Sequence, residues 1–112
     1  MEELDQKKYY RPSYSVLFNK IKDIKTPIKT EILRALLDGQ WHSELELIRI
    51  TKRQQKYMGA VTLGMMINNL NVVLKNNYIE TKYINGKLFY KCNDNYVGLT
   101  RAAYRFDSKR YF

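Results

Sequence analysis

Ser43 to Cys92 reads SELELIRITKRQQKYMGAVTLGMMINNLNVVLKNNYIETKYINGKLFYKC, and this stretch decides the fold. It opens on Ser43-Glu44-Leu45-Glu46, the spacing of a capping box. The Ser hydroxyl and the Glu carboxylate are each placed there to accept from an orphan N–H at the helix start. The helix is expected to run from Glu44 to about Ile50 and to bury Leu45 and Ile48. Thr51-Lys52-Arg53-Gln54-Gln55-Lys56 follows as a polar, basic turn. Leu63, Ile67, Leu70 and Leu74 then form one apolar stripe, with Met66 and Val73 at its edge, on a helix from about Met58 to Asn76. Asn77 suits the left-handed cap position after it.

Asn85-Gly86 joins two alternating runs, the strongest short-range signal for a β-hairpin. A two-residue loop there pairs Ile84 with Lys87, Tyr83 with Leu88, Thr81 with Tyr90, Glu80 with Lys91 and Ile79 with Cys92. Ile79, Thr81, Tyr83, Leu88, Tyr90 and Cys92 share the expected core face. Glu80, Lys82, Ile84, Lys87, Phe89 and Lys91 share the solvated one. A slip of one residue mixes the two sets, so the register is well specified. On this register Cys92 is a small buried hydrophobe and not a nucleophile.

Upstream, Thr26-Pro27 reads as N-cap and first helical residue, and Pro27 stops any helix before it. That earlier helix is plausible from Ser13, with Leu17, Ile21 and Ile24 on one stripe. After Pro27, Ile28, Ile32, Ala35 and Leu36 share one face while Leu33 and Leu37 lie on another, so both faces should be covered. Gly39 ends this helix as a left-handed cap. Gln40-Trp41-His42 is extended, Trp41 is expected to plug the core beside the sheet, and His42, read as lacking acidic partners, is structural. Leu99, Ala103 and Phe106 fit a short terminal helix, and Lys109-Arg110-Tyr111-Phe112 reads as frayed. The expected organisation is a flexible arm over residues 1–12, one domain over 13–100 and a basic aromatic tail over 101–112.

The chain has 112 residues, enough for one domain, and 45% hydrophobic residues, enough for a real core. No apolar run approaches the roughly 20 residues of a membrane helix. The acidic start Met1-Glu2-Glu3-Leu4-Asp5 is not a signal peptide, and a single Cys fits a reducing compartment. A soluble cytoplasmic protein is the expectation. Net charge is +9, all of it from one side: residues 1–48 hold 8 Lys/Arg and 8 Asp/Glu, while residues 49–112 hold 12 against 3. One-sided basicity attracts phosphate, although a charge excess can also serve solubility alone.

From Pro27 to Cys92 the chain resembles the winged helix-turn-helix DNA-binding family, in particular its small archaeal and archaeal-virus regulators. The likeness rests on Asp38-Gly39-Gln40-Trp41-His42-Ser43, on Leu70 followed by Leu74, on Lys75-Asn76-Asn77-Tyr78-Ile79-Glu80 and on the Asn85-Gly86 tip. It implies an α+β fold: a three-helix core with a C-terminal two-stranded wing, plus an extra N-terminal helix and a short C-terminal one. It further implies that the helix from Met58 enters the major groove and that the wing near Ile84–Leu88 rests on backbone or minor groove. The turn before that helix is longer than usual in the family.

The outward face of that helix holds Val61, Thr62, Met65, Asn68, Asn69, Val72 and Lys75. On a DNA-binding reading Thr62, Asn68 and Asn69 read bases. Arg49, Lys52, Arg53 and Lys56 ahead of the helix, Lys75 at its end, and Lys82, Lys87 and Lys91 on the wing hold phosphate. The partner is then double-stranded DNA, bound by a transcriptional regulator. The alternative is a winged-helix protein-interaction module, which the apolar Val61, Met65 and Val72 favour. The two combine in a homodimer. An enzyme is not expected, since no nucleophile–base constellation, phosphate loop or metal-ligand cluster is present, and no cofactor or small-molecule substrate is implied.

Overall fold

The computed structural model describes residues 12–110. Residues 1–11 of the expected arm, Tyr111, Phe112 and the Phe106 side chain lie outside the described residues. The chain folds as α1 (Pro12–Lys22), α2 (Pro27–Ala35), β1 (His42–Ser43), α3 (Glu44–Thr51), α4 (Ala60–Val73), β2 (Ile79–Ile84), β3 (Lys87–Cys92) and α5 (Asp94–Arg110). The described residues form an α+β arrangement, with five helices among them and a small antiparallel sheet in the order β1-β3-β2.

The punctuation of the chain acts where its chemistry directs. Pro27 sits in the first turn of α2 after an extended Thr26. The Thr26 hydroxyl makes no cap bond, so the fixed φ of proline and the backbone bond from Thr30 N to Thr26 O open the helix. Gly39 adopts φ +72° after α2, with the Val97 methyls 3.7 and 3.9 Å from where a Cβ would stand. Asn77 and Asn85 take φ of 62° and 51°, and Gly86 takes 76°. Positive φ at both Asn85 and Gly86 is the hairpin turn whose twist matches its strands. The β2–β3 register is the one expected, from Ile79 opposite Cys92 to Ile84 opposite Lys87.

The core joins Ile32 and Leu33 of α2 and its C-cap Leu36 to Leu47 of α3 and to Leu63, Ile67 and Leu70 of α4. Tyr78, Ile79, Tyr90 and Cys92 close it from the sheet side. Leu17 and Ile21 of α1 and Tyr96, Val97 and Ala103 of α5 cover the remaining side, so both faces of α2 are covered. Tyr78 stacks on Tyr96 with ring centroids 5.2 Å apart, and its hydroxyl bonds Thr100 Oγ1. Arg101 Nε donates to Leu37 O at 2.7 Å, tying α5 to the end of α2. Asn71 of α4 grips Ile79 at both backbone groups (3.1 and 2.8 Å), as a neighbouring strand would, and so fixes where β2 begins.

The sheet has three strands and not two, because His42 and Ser43 pair with Tyr90 and Phe89. In α3 the buried residue is Leu47, with Ile48 half-buried, while Leu45 is exposed. The inward stripe continues to Thr51, whose hydroxyl donates to Leu47 O at 2.7 Å and is thereby satisfied without water. Reading Thr51 as the start of the turn moves the helix face toward Leu45. Helix α4 is shorter than expected: it starts at Ala60, and buried Met58 anchors the turn before it.

On the hairpin only the base of the expected core face is buried. Thr81 and Tyr83 are exposed, because the tip projects past the helices. Lys91 on the other face is half-buried against Trp41. Trp41 itself is not a core plug. It stands opposite Lys91 on the outer sheet face, under the Lys82 and Lys91 ammonium groups at 4.2 and 5.5 Å. The terminal helix is long, not short, and residues 101–110, expected as a tail, continue α5 without a break.

A candidate nucleic-acid interface

α4 presents one unbroken outward stripe, Val61, Met65, Asn68 and Val72, all exposed. These positions fall within a narrow arc because they step by four, three and four residues along the helix. Leu63, Ile67 and Leu70 hold the opposite face in the core, so the stripe cannot rotate away from solvent. None of its four side chains carries a charge. Thr62 is half-buried at the edge of the stripe.

Cations border it. Lys52, Arg53 and Lys56 are exposed in the turn before α4, with Arg49 exposed in the last turn of α3. Lys56 rests against the exposed Tyr57 ring at 5.7 Å. Lys75 lies just past the end of α4 and leans over the Tyr96 ring. Lys29 arrives from α2 and donates to Asn69 Oδ1. This lysine was not among the expected site residues. Its partner is 40 positions away, so only the packing of α2 beside α4 reveals it.

The hairpin cations separate. Lys87 is exposed at the tip. It shares an open groove of about 320 Å³ with Leu45, Tyr83, Leu88 and the start of α3 at Ser43 and Glu44. Lys82 and Lys91 are held instead over Trp41 on the outer face of the sheet, and Lys91 also pairs with Asp94 at 3.0 Å.

His42 differs from its expectation. Its Nε2 lies 2.9 Å from Asp38 and its Nδ1 lies 2.7 Å from Glu46, one acid four residues before it and one four residues after. Glu46 therefore does not close the capping box, and only the Ser43 half forms, with Glu46 N donating to Ser43 Oγ at 3.1 Å. Partial burial opposes charge on the imidazole, but the hydrogen bonds and fields of Asp38 and Glu46 outweigh it and raise its pKa. Burial also works against the Asp38 carboxylate, yet the Gln40 backbone N–H and His42 prevail and lower its pKa. With an acceptor at each nitrogen, the imidazolium form is the one fully bonded here. Burial pushes the Cys92 thiol up to about 11, which leaves it protonated and unreactive at neutral pH.

Among the described residues no group of three or more His, Cys, Asp and Glu is arranged to hold a metal ion, and no helix is long and apolar enough to cross a membrane. Comparison with protein-family models, with curated proteins and with solved structures finds no match to this chain.

Proposed function

We propose that this chain is a duplex-DNA-binding protein, a cytoplasmic transcriptional regulator built as a winged helix-turn-helix. α3, the turn and α4 form the helix-turn-helix, and the β2–β3 hairpin is the wing. The observation that carries this reading is the uncharged outward stripe of α4 between cations: exposed Lys52, Arg53 and Lys56 before it, exposed Lys75 after it and half-buried Lys29 beside it. Phosphates flank the floor of a major groove in the same way, with charge at the rims and donors, acceptors and methyl groups between them. Lys87 at the hairpin tip supplies a backbone contact on the wing side. The protein performs no catalysis on this reading and needs no cofactor.

A second reading has a specific observation behind it. Val61, Met65 and Val72 are 77%, 69% and 73% exposed, which also suits a protein-interaction module or a homodimer seam. A salt-dependent titration with duplex DNA separates the two. Phosphate binding weakens steeply as salt rises, whereas an apolar protein contact does not.

A further inference from the structure

We propose that the outward stripe of α4 reads the 5-methyl groups of thymine, so that the preferred target presents an A·T-rich major groove. The inference rests on the DNA-binding reading above and names the sequence class that reading leaves open.

Guanine is read in the major groove by the paired donors of Arg or Lys, and the amino group of cytosine by a carboxylate. Val61, Met65, Asn68 and Val72 supply neither. What they do supply matches an A·T pair. An Asn amide donates to adenine N7 and accepts from its amino group, and an apolar side chain packs on the thymine methyl. Over the eleven helical steps from Val61 to Val72 the stripe extends about 16 Å, the length of roughly five base pairs. One amide lies among three apolar side chains along that length, so methyl contact dominates.

Asn69 is not an equal partner of Asn68. Its Oδ1 already accepts from Lys29, so one of the two lone pairs on the oxygen that adenine requires is taken. Asn69 positions Lys29 beside the groove, and Asn68, exposed on the stripe, is the adenine reader.

A second copy of the chain is a poorer occupant. A stable protein interface takes about 20–30 residues a side, and α4 offers four in its stripe before basic residues begin. Like charges on both copies would meet at those rims. Duplex DNA brings the opposite charge to the same place.

The test measures binding of the full chain to four labelled duplexes of one length by fluorescence anisotropy, across a salt series. One is A·T-rich, and one is the same with each thymine replaced by deoxyuridine. One is G·C-rich, and one is the same with 5-methylcytosine. Deoxyuridine removes the methyl and leaves the base pairing and the minor-groove edge in place. The expected result is tightest binding to the A·T duplex, weakened about fourfold for each contacted methyl removed, with partial recovery on 5-methylcytosine. Met65→Gln and Val61→Ser should each shrink the thymine–deoxyuridine difference and leave the salt slope unchanged. Both side chains are exposed, so the variants keep the fold, as circular dichroism will report. Equal, salt-dependent binding to all four duplexes overturns methyl reading and leaves the DNA-binding reading standing. An A·T preference that survives deoxyuridine also overturns it and moves recognition to groove shape. Salt-independent or absent binding to every duplex overturns both.

Discussion

His42 carries a consequence that solution measurements can reach directly. Its folded pKa is raised, so the protonated form stabilises the fold. That contribution is complete below the unfolded value near 6.5 and is lost as pH rises through the folded value. Asp38 works in the opposite sense: its lowered pKa contributes above the unfolded carboxylate value and is lost as pH falls through the folded one. The difference in stability between the native chain and His42→Gln should therefore shrink between mildly acidic and alkaline pH. An NMR titration should place the imidazole pKa above 6.5, and Asp38→Asn should bring it down. A value at or below 6.5 in the native chain refutes the paired geometry. The Tyr78–Thr100 contact offers a second check. Thr100 Oγ1 donates to Tyr96 O, so the Tyr78 hydroxyl donates to Thr100. Thr100→Val strands that buried hydroxyl and should cost about 1–3 kcal/mol, whereas Tyr78→Phe should cost only about 0.5–1.5 kcal/mol. The reverse ranking in urea denaturation would show that the bond runs the other way.

The helices and strands show what local chemistry can and cannot specify. The hairpin register is legible because Asn85-Gly86 admits one turn geometry and the alternation on each side agrees with it. The inward stripe of α4 is legible because four large apolar residues keep one period. The face of α3 is not legible, since it depends on a threonine that satisfies its own hydroxyl and so behaves as an apolar residue. Neither is the outward turn of Trp41, which follows from the pairing of β1 with β3 across more than forty residues. Mutations separate these faces. Leu47→Ala and Leu70→Ala should each cost about 2–5 kcal/mol, and Leu45→Ala should stay within about 0.5 kcal/mol. Equal costs at Leu45 and Leu47 would mean that α3 is rotated from its position here. Gly64 lies inside α4 in ordinary helical conformation, and a Cβ there meets nothing within 4 Å. Gly64→Ala should raise stability by about 0.5–1 kcal/mol, measured by the same denaturation.

Across the whole molecule, charge and shape divide the work. The excess of cations belongs to the chain after Ile48, and folding sets Lys52, Arg53, Lys56 and Lys75 around α4 while α2 contributes Lys29. The first four positions are legible as a charge run and a helix end. Lys29 is not, because it lies in the electrically balanced half and reaches α4 only through tertiary packing. Lys82 appears among the cations in the sequence but spends its charge on Trp41, so it is a weaker candidate for phosphate than Lys87. Binding of the full chain to duplex DNA across a salt series tests the central claim most directly. Log affinity should fall linearly with log salt, and Arg53→Ala and Lys87→Ala should each weaken binding to every duplex and flatten the slope by about one unit. Affinity that does not change with salt, or a slope that neither substitution alters, would contradict it.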